Sequence, residues 1–283
     1  MKTIGQSSLE SYCPDEAKFK ARRCADIRKG NAIEVSDFLH LSRLVAELQY
    51  RNPGHVLMMR GQSDDYSNRR KNSSLKPSIF RGKNENPDSE TLKERYETLA
   101  IAEQSLVEAY SRHGFPRAKE IKRRQVLRWT ILQHYEICLT PLLDVTNSLR
   151  VAASFASDHS GEVAYLMVIG IPNVAGAITT SIEAELQVIR LASVSPPQAL
   201  RPHIQEGFLV GEYPDIAMYG QKQLYEHHEV DFGLRLMAKF VFNRDPFWKN
   251  KDFPPIPHSA LYPNDNDEFY RVAQEIKADI GED

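Results

Sequence analysis

Residues 131–157, ILQHYEICLTPLLDVTNSLRVAASFAS, constrain this chain more than any other stretch. A run of polar side chains (Gln133, His134, Tyr135, Thr140, Asp144, Thr146, Asn147, Ser148) interrupts apolar sequence. A helix of small residues, Ala152, Ala153 and Ala156 around Phe155, follows at once. The polar run must find partners or a ligand, because burying unpaired polar groups is costly. Asn147 or Thr146 is expected to cap the helix, since a short side-chain oxygen satisfies the open N–H groups of a first turn. A helix N-terminus beside His, Tyr, Thr and Asp suits an anionic ligand.

On either side the periodicity changes. Residues 36–50, SDFLHLSRLVAELQY, place Phe38, Leu39, Leu41, Leu44, Val45 and Leu48 on one helical stripe with Ser36 as N-cap. Asn52-Pro53-Gly54 marks a turn, and HVLMM reads as a buried strand running into Arg60-Gly61-Gln62. Residues 63–87 are loop-like apart from the island Leu75–Arg81. Helices are expected over 89–113, with Leu99, Ala102, Leu106, Ala109 and Tyr110 inside, and over 117–135, with Ile121, Val126, Trp129 and Leu132 inside. The apolar run VAYLMVIGI (163–171) then suits a central strand. GAITTSI, LQVIRLAS, HIQEGFLV and LMAKFVFN are shorter strand candidates, and DEFYRVAQEIKADI closes the chain as an amphipathic helix.

Helices come first and strands mostly later. The expected fold is therefore α+β, with a helical N-terminal half packed on a mixed or antiparallel β core. Residues 1–30 are polar and mixed in charge, an arm or a small packed helix, and residues 31–283 read as one domain.

Thirty-six basic against 38 acidic residues, net charge −2, argue neither for nucleic acid nor for an anionic membrane surface. No stretch reaches the ~18 apolar residues of a membrane span, and the start lacks an apolar signal segment. Cys13, Cys24 and Cys138 follow no disulfide or zinc spacing and are expected as reduced thiols. The expectation is a soluble cytoplasmic protein. There is no Walker loop, no dinucleotide glycine fingerprint following a strand, no HExxH and no GxSxG. His227-His228 between Glu226 and Glu229 lacks helical zinc spacing and reads as a polar turn, so no metal is expected. The basic run 117–128 reads as a solvated helix face.

Two readings stand for Arg60, at the end of an apolar strand. One is a structural ion pair with a core carboxylate such as Asp144. The other is an anion clamp, with Gly61 allowing close approach and Gln62 adding a donor and an acceptor. His134 and Tyr135 are either core and cap residues or parts of a site shared with Thr140, Asp144 and Thr146. Glu206, in an apolar strand-like run, either faces solvent or serves as a carboxylate facing a developing cation.

These residues together resemble the FRG domain family. Arg60-Gly61-Gln62 looks like the name motif, and Leu75–Arg81 resembles the block after it. Gln133-His134-Tyr135 with Leu142-Leu143-Asp144-x-Thr146 and the Ala152/Phe155/Ala156 helix resembles the central block, and Arg201–Phe208 a later segment. Met59 and Val145 stand where aromatics are usual, and Glu136 where a Gly is usual. A weaker similarity is to the ADP-ribosyltransferase arrangement: an Arg ending an early strand, hydroxyl residues leading into an Ala-x-x-Phe-Ala helix, and a later Glu. That similarity implies an ADP-ribosyltransferase-like fold and an NAD-dependent enzyme, a toxin or antiphage effector. Arg60 would hold NAD with Gly61, Gln62, Thr140, Asp144, Thr146 and Ser148, while His134 and Tyr135 line the nicotinamide side. Glu206 would stabilise the cationic ribose. Gln205 and Glu206 are adjacent, whereas transferases that modify Arg separate the corresponding pair by one residue. The protein or nucleic-acid acceptor stays open. The alternative is a non-catalytic module binding a phosphorylated small molecule or a nucleic-acid end.

Overall fold

The computed structural model describes residues 3–4, 8–82, 87–159, 161–173, 175–213, 218–224 and 230–281. The expected turn at Glu226–Glu229 lies outside the described residues. Along the chain run β1 (Leu9–Cys13), β2 (Lys18–Arg22), α1 (Cys24–Lys29), β3 (Ile33–Glu34), α2 (Phe38–Arg51) and β4 (Val56–Gln62). Then come α3 (Ser89–Arg112), α4 (Ala118–Arg123), α5 (Gln125–His134), β5 (Leu143–Thr146), α6 (Leu149–Ser157) and β6 (Val163–Ile171). Next are β7 (Ile178–Ser181), β8 (Leu186–Arg190), α7 (Leu191–Val194), α8 (Arg201–Ile204), β9 (Gly207–Glu212) and α9 (Tyr219–Leu224). Last are β10 (Leu236–Asn243), α10 (Arg244–Phe247), α11 (His258–Leu261) and α12 (Glu268–Ile280). Two compact units form: one from residues 1–75, 145–175 and 231–261, the other from 76–144, 176–230 and 262–283.

The first unit is a mixed sheet. β10 pairs antiparallel with β6 and parallel with β3, β6 pairs antiparallel with β4, and Met59 of β4 faces Thr146 of β5. β6 is the central strand its apolar run predicts, buried from Ala164 to Ile171 apart from Tyr165. The first 30 residues contribute a β1–β2 hairpin and the short helix α1. On α2, Phe38, Leu41, Leu44, Val45 and Leu48 are buried as expected, but Leu39 is 49% exposed. The N-cap is Asp37, not Ser36: its carboxylate accepts from the His40 N–H at 2.8 Å, while the Ser36 hydroxyl donates to Asp37.

A buried polar network ties the loop after β4 to this sheet. Arg28 donates to Asp231 at 2.5 Å, and the fully buried Asp231 also accepts from the N–H groups of Leu75 and Gly233 and from the Ser74 hydroxyl. Lys239 of β10 reaches Asp65 at 2.6 Å and the Ser73 hydroxyl at 2.7 Å. Every charge here is paired and hydrogen-bonded, the condition under which burial is tolerated. The Asn- and Ser-rich composition of 63–75 is thus that of a pinned loop.

In the second unit β8 pairs antiparallel with both β7 and β9. α3 begins at Ser89 as expected, capped by Asp88, which accepts from the Thr91 N–H, and buries Leu99, Ala102, Leu106, Ala109 and Tyr110. The helix expected over 117–135 is two helices, because Arg124 leaves the helical region (φ −117°, ψ 105°) between α4 and α5. Arg128 is half-buried and clamps Glu103 at 2.7 Å, whereas Lys119, Lys122 and Arg123 are exposed, the solvated face read from the basic run. HIQEGFLV is not strand throughout. Pro202 opens the short helix α8, the N–H groups of Gln205 and Glu206 donate to Arg201 O and His203 O, and β9 begins only at Gly207.

All three cysteines are buried free thiols. Burial pushes the Cys24 thiol up to about 11, so it stays protonated and unreactive near neutrality. Among the described residues no helix is long and apolar enough to cross a membrane.

Candidate functional site

In the first unit β4 carries Arg60, Gly61 and Gln62, all half-buried. Helix α6 lies directly against them. A Cβ on Gly61 would meet Ala156 N at 2.5 Å and Ala156 Cβ at 3.0 Å, with the Ala152 carbonyl oxygen nearer still. The small residues Ala152, Ala153 and Ala156, buried without residue, thus serve helix–strand contact. The close approach that Gly61 permits is that of α6. At the helix start Ser148 is the N-cap residue but makes no side-chain cap bond, and neither Asn147 nor Thr146 caps as expected. Instead the Thr146 hydroxyl accepts from the Ser148 N–H at 3.0 Å, holding the turn into the helix.

In the second unit the end of α5 and the following loop gather the other expected residues. Gln133 donates to Asp144 at 2.6 Å through its amide nitrogen, while its amide oxygen accepts from the Thr140 hydroxyl at 2.5 Å and from Ser78 at 3.3 Å. Thr140 is fully buried; its hydroxyl also accepts from the Leu142 N–H, and its own N–H donates to Ser78 Oγ. Ser78, from the island after the first motif, was not singled out in sequence; only its place beside Ile79 and Phe80, both buried, hints at it. The network orients the Asp144 carboxylate, whose side chain is 36% exposed, and its second oxygen lies 3.7 Å from His134 Nδ1. The His134 imidazole is sealed: its side chain is 3% exposed, and Nε2 is buried without a hydrogen-bond partner. Gly207 stands beside it, where a Cβ would be 3.7 Å from His134 Cε1.

Tyr135 turns away from this cluster. It is 2% exposed, and its hydroxyl donates to Asp267 at 2.8 Å. Burial first, and then the Asp267 charge, hold its phenol far above the usual range. Asp267 is fully buried and also accepts from the N–H groups of Leu200, Arg201 and Phe269. The buried Arg201 guanidinium lies over the rings of Tyr135 (5.5 Å) and Tyr262 (4.7 Å), with Glu136 at 3.5 Å. Glu136 takes φ 54°, the left-handed region that a glycine enters without steric cost. Nothing in the sequence around Asp267 separates its role here from that of an ordinary helix cap.

Glu206 is exposed, with φ 44°, in the turn before β9, and Gln205 beside it is buried. The carboxylate at the far end of β9, Glu212, is buried and raises the Tyr96 phenol further after burial has done so. Among the described residues no cluster of His, Cys, Asp and Glu is placed to hold a metal ion.

Neither curated proteins nor solved structures gave a match to the chain. The family model of the FRG domain matches residues 57–163, from β4 through the first residue of β6. It takes in Arg60, Ser78, the Gln133–Asp144 network, Thr146 and α6, and leaves Glu206 and Asp267 outside. Over residues 57–163 this chain carries the sequence pattern of the FRG domain family.

Proposed function

We propose that this chain binds a ribonucleotide-type ligand, NAD, and acts on it as an ADP-ribosyltransferase-like enzyme. The observation that carries this reading is Asp144. A carboxylate fixed by Gln133, backed by a buried imidazole and still partly exposed is a prepared acceptor for a ribose diol. Carboxylates serve dinucleotide ribose hydroxyls in this way elsewhere. Fixing it through Gln133, Thr140 and Ser78 removes the ordering cost that a free side chain incurs on binding.

In the reaction the bond between the ribose C1′ and the nicotinamide nitrogen breaks, and nicotinamide leaves with the bonding electrons. Positive charge develops on the ribose, and an acceptor nucleophile, or water, forms the new bond at C1′ and gives up a proton. A fixed carboxylate against the charged ribose lowers the barrier; Glu206 takes that part in this reading. His134, with Nδ1 3.7 Å from the Asp144 carboxylate, backs the acceptor with a buried ring.

The test is calorimetric titration with NAD together with release of nicotinamide. Wild type is expected to bind and turn over, and Asp144→Asn to lose binding. Absence of both binding and nicotinamide release at millimolar NAD eliminates the proposal.

A second reading, a non-catalytic binding module, is favoured by Glu206 itself, which is exposed in a left-handed turn and not fixed on a strand. Glu206→Gln separates the two. An enzyme loses turnover and keeps ligand, whereas a module binds as before and never turns over.

A further inference from the structure

The first unit contains a cavity of about 400 Å³ that the nucleotide reading does not use. It is bounded by the C-terminal end of α6, by α10 with Trp248 after it, and by residues 255–258. The loop is tied to α6 at three points: Arg150 donates to Pro254 O at 2.9 Å, the Ile256 N–H donates to Ser154 Oγ at 2.9 Å, and His258 meets Asp158 at 2.8 Å. Trp248 donates its indole N–H to Ser157 Oγ at 2.9 Å, with one face stacked on Phe38. The cavity is therefore a built feature with a fixed aromatic wall, within the size range of small-ligand sites.

Its charges decide what it takes. Asp245 lines it, is exposed, and makes no hydrogen bond or ion pair among the described residues. Asp158 lies at the carbonyl end of α6, where the helix dipole adds negative potential. Arg244 donates through Nη1 to the backbone oxygens of His159 and Gly161, which are neutral, so its positive charge stays at the wall, with Nε buried and without a partner. An anion would meet two carboxylates, one of them bonded to His258, and a helix C-terminus against the single guanidinium of Arg244. A flat cation would meet an unpaired carboxylate, a negative helix end and an indole.

We propose that this cavity binds an alkylguanidinium, from a free arginine-like molecule or from an arginine side chain of a partner protein. Asp245 forks with the guanidinium, Asp158 and the end of α6 supply potential, and Trp248 with Ile256 and Pro255 covers the alkyl stem. Guanidinium suits the site better than ammonium because it is planar, weakly hydrated and stacks on aromatic rings.

Trp248 supplies the readout, since the chain has two tryptophans and Trp129 is 1% exposed in the other unit. Tryptophan emission is followed during titration of the full chain with agmatine and with the peptide acetyl-Gly-Arg-Gly-amide; cadaverine and acetate are the controls. Saturable changes with either guanidinium probe are expected, at least tenfold tighter than with cadaverine. Asp245→Asn should weaken them at least tenfold, and Trp248→Phe should remove the signal while calorimetry still detects heat. Tighter binding of agmatine identifies a free small molecule as the source, and tighter binding of the peptide a protein side chain. No saturation by either probe, equal affinity for cadaverine or acetate, or indifference to Asp245→Asn overturns the proposal. NAD enters none of these titrations, so the result is independent of the nucleotide reading.

Discussion

Gly61→Ala tests the packing that defines the first unit. The added methyl would lie 2.5 Å from Ala156 N and closer still to the Ala152 carbonyl oxygen. Both are backbone atoms of α6, so no side chain can rotate away. Ordinary contacts begin near 3.5 Å, so the helix must retreat from β4 by about 1.5 Å to clear the Ala152 carbonyl oxygen. Overpacking a tight core typically costs about 1–3 kcal/mol. With helix backbone as the obstacle we expect the upper end, about 3 kcal/mol, a fall in Tm of about 6–12 °C. Urea unfolding followed by Trp248 emission is the assay, because Trp248 is bonded to Ser157 at the end of α6. Gly54→Ala is the control, as nothing lies within 4 Å of its added methyl. If Gly61→Ala falls within about 0.5 kcal/mol of wild type, like a surface change, α6 does not lie on β4 as described.

Other outcomes follow from the buried networks. Asp231→Ala strands the Arg28 guanidinium in the interior and should cost about 3–5 kcal/mol in urea unfolding; a loss below 1 kcal/mol, roughly a single neutral hydrogen bond, would mean Arg28 finds water. Tyr135→Phe removes one of the donors to Asp267 and should cost about 1–2 kcal/mol, with no effect if Asp267 is solvated instead. Glu136→Gly relieves a left-handed backbone and should leave stability unchanged or raise it by about 0.5–1 kcal/mol; a larger loss would show that the 3.5 Å pairing with Arg201 outweighs the strain. The caps give a pH dependence. The N–H groups of His40 and Thr91 hold the Asp37 and Asp88 carboxyls below the ordinary value of 3.8. Their stabilisation is present above that value and is lost as pH falls through the depressed folded pKa. Replacing both by Asn should flatten the acid limb of a stability–pH curve, and an unchanged limb would refute the capping role.

The main elements were legible because periodicity and punctuation agreed with tertiary demand. The VAYLMVIGI run, bounded by Gly161 and Pro172, suits a central strand, and the stripe through Leu99, Leu106 and Tyr110 an inward helix face, as the structure has them. What failed was local. Leu39 fits the α2 stripe by type but points outward, since at about 100° per residue it stands on the helix face opposite Leu41, Leu44, Val45 and Leu48. Ser36 lost the cap to Asp37 one residue on, because either side chain can reach an open N–H and backbone entry angle decides between them. HIQEGFLV reads as strand until Pro202 is recognised as a helix opener. The site was half legible. Gln133, His134, Thr140 and Asp144 do form one network, and sequence proximity sufficed to find it. Ser78 and Asp267 were beyond reach, because their partners are 55 and 132 residues away. Gly61 was visible as a close approach, but sequence could not say that α6 fills the space.

The most direct test of the nucleotide reading is NMR observation of the His134 imidazole during titration with NAD. Asp144 lies 3.7 Å from its Nδ1, so a ribose bound at that carboxylate must change the ring's surroundings. The resonance should move and saturate with added NAD, and stay fixed in folded Asp144→Asn. A His134 signal that does not respond to millimolar NAD in the folded wild-type protein would contradict the account.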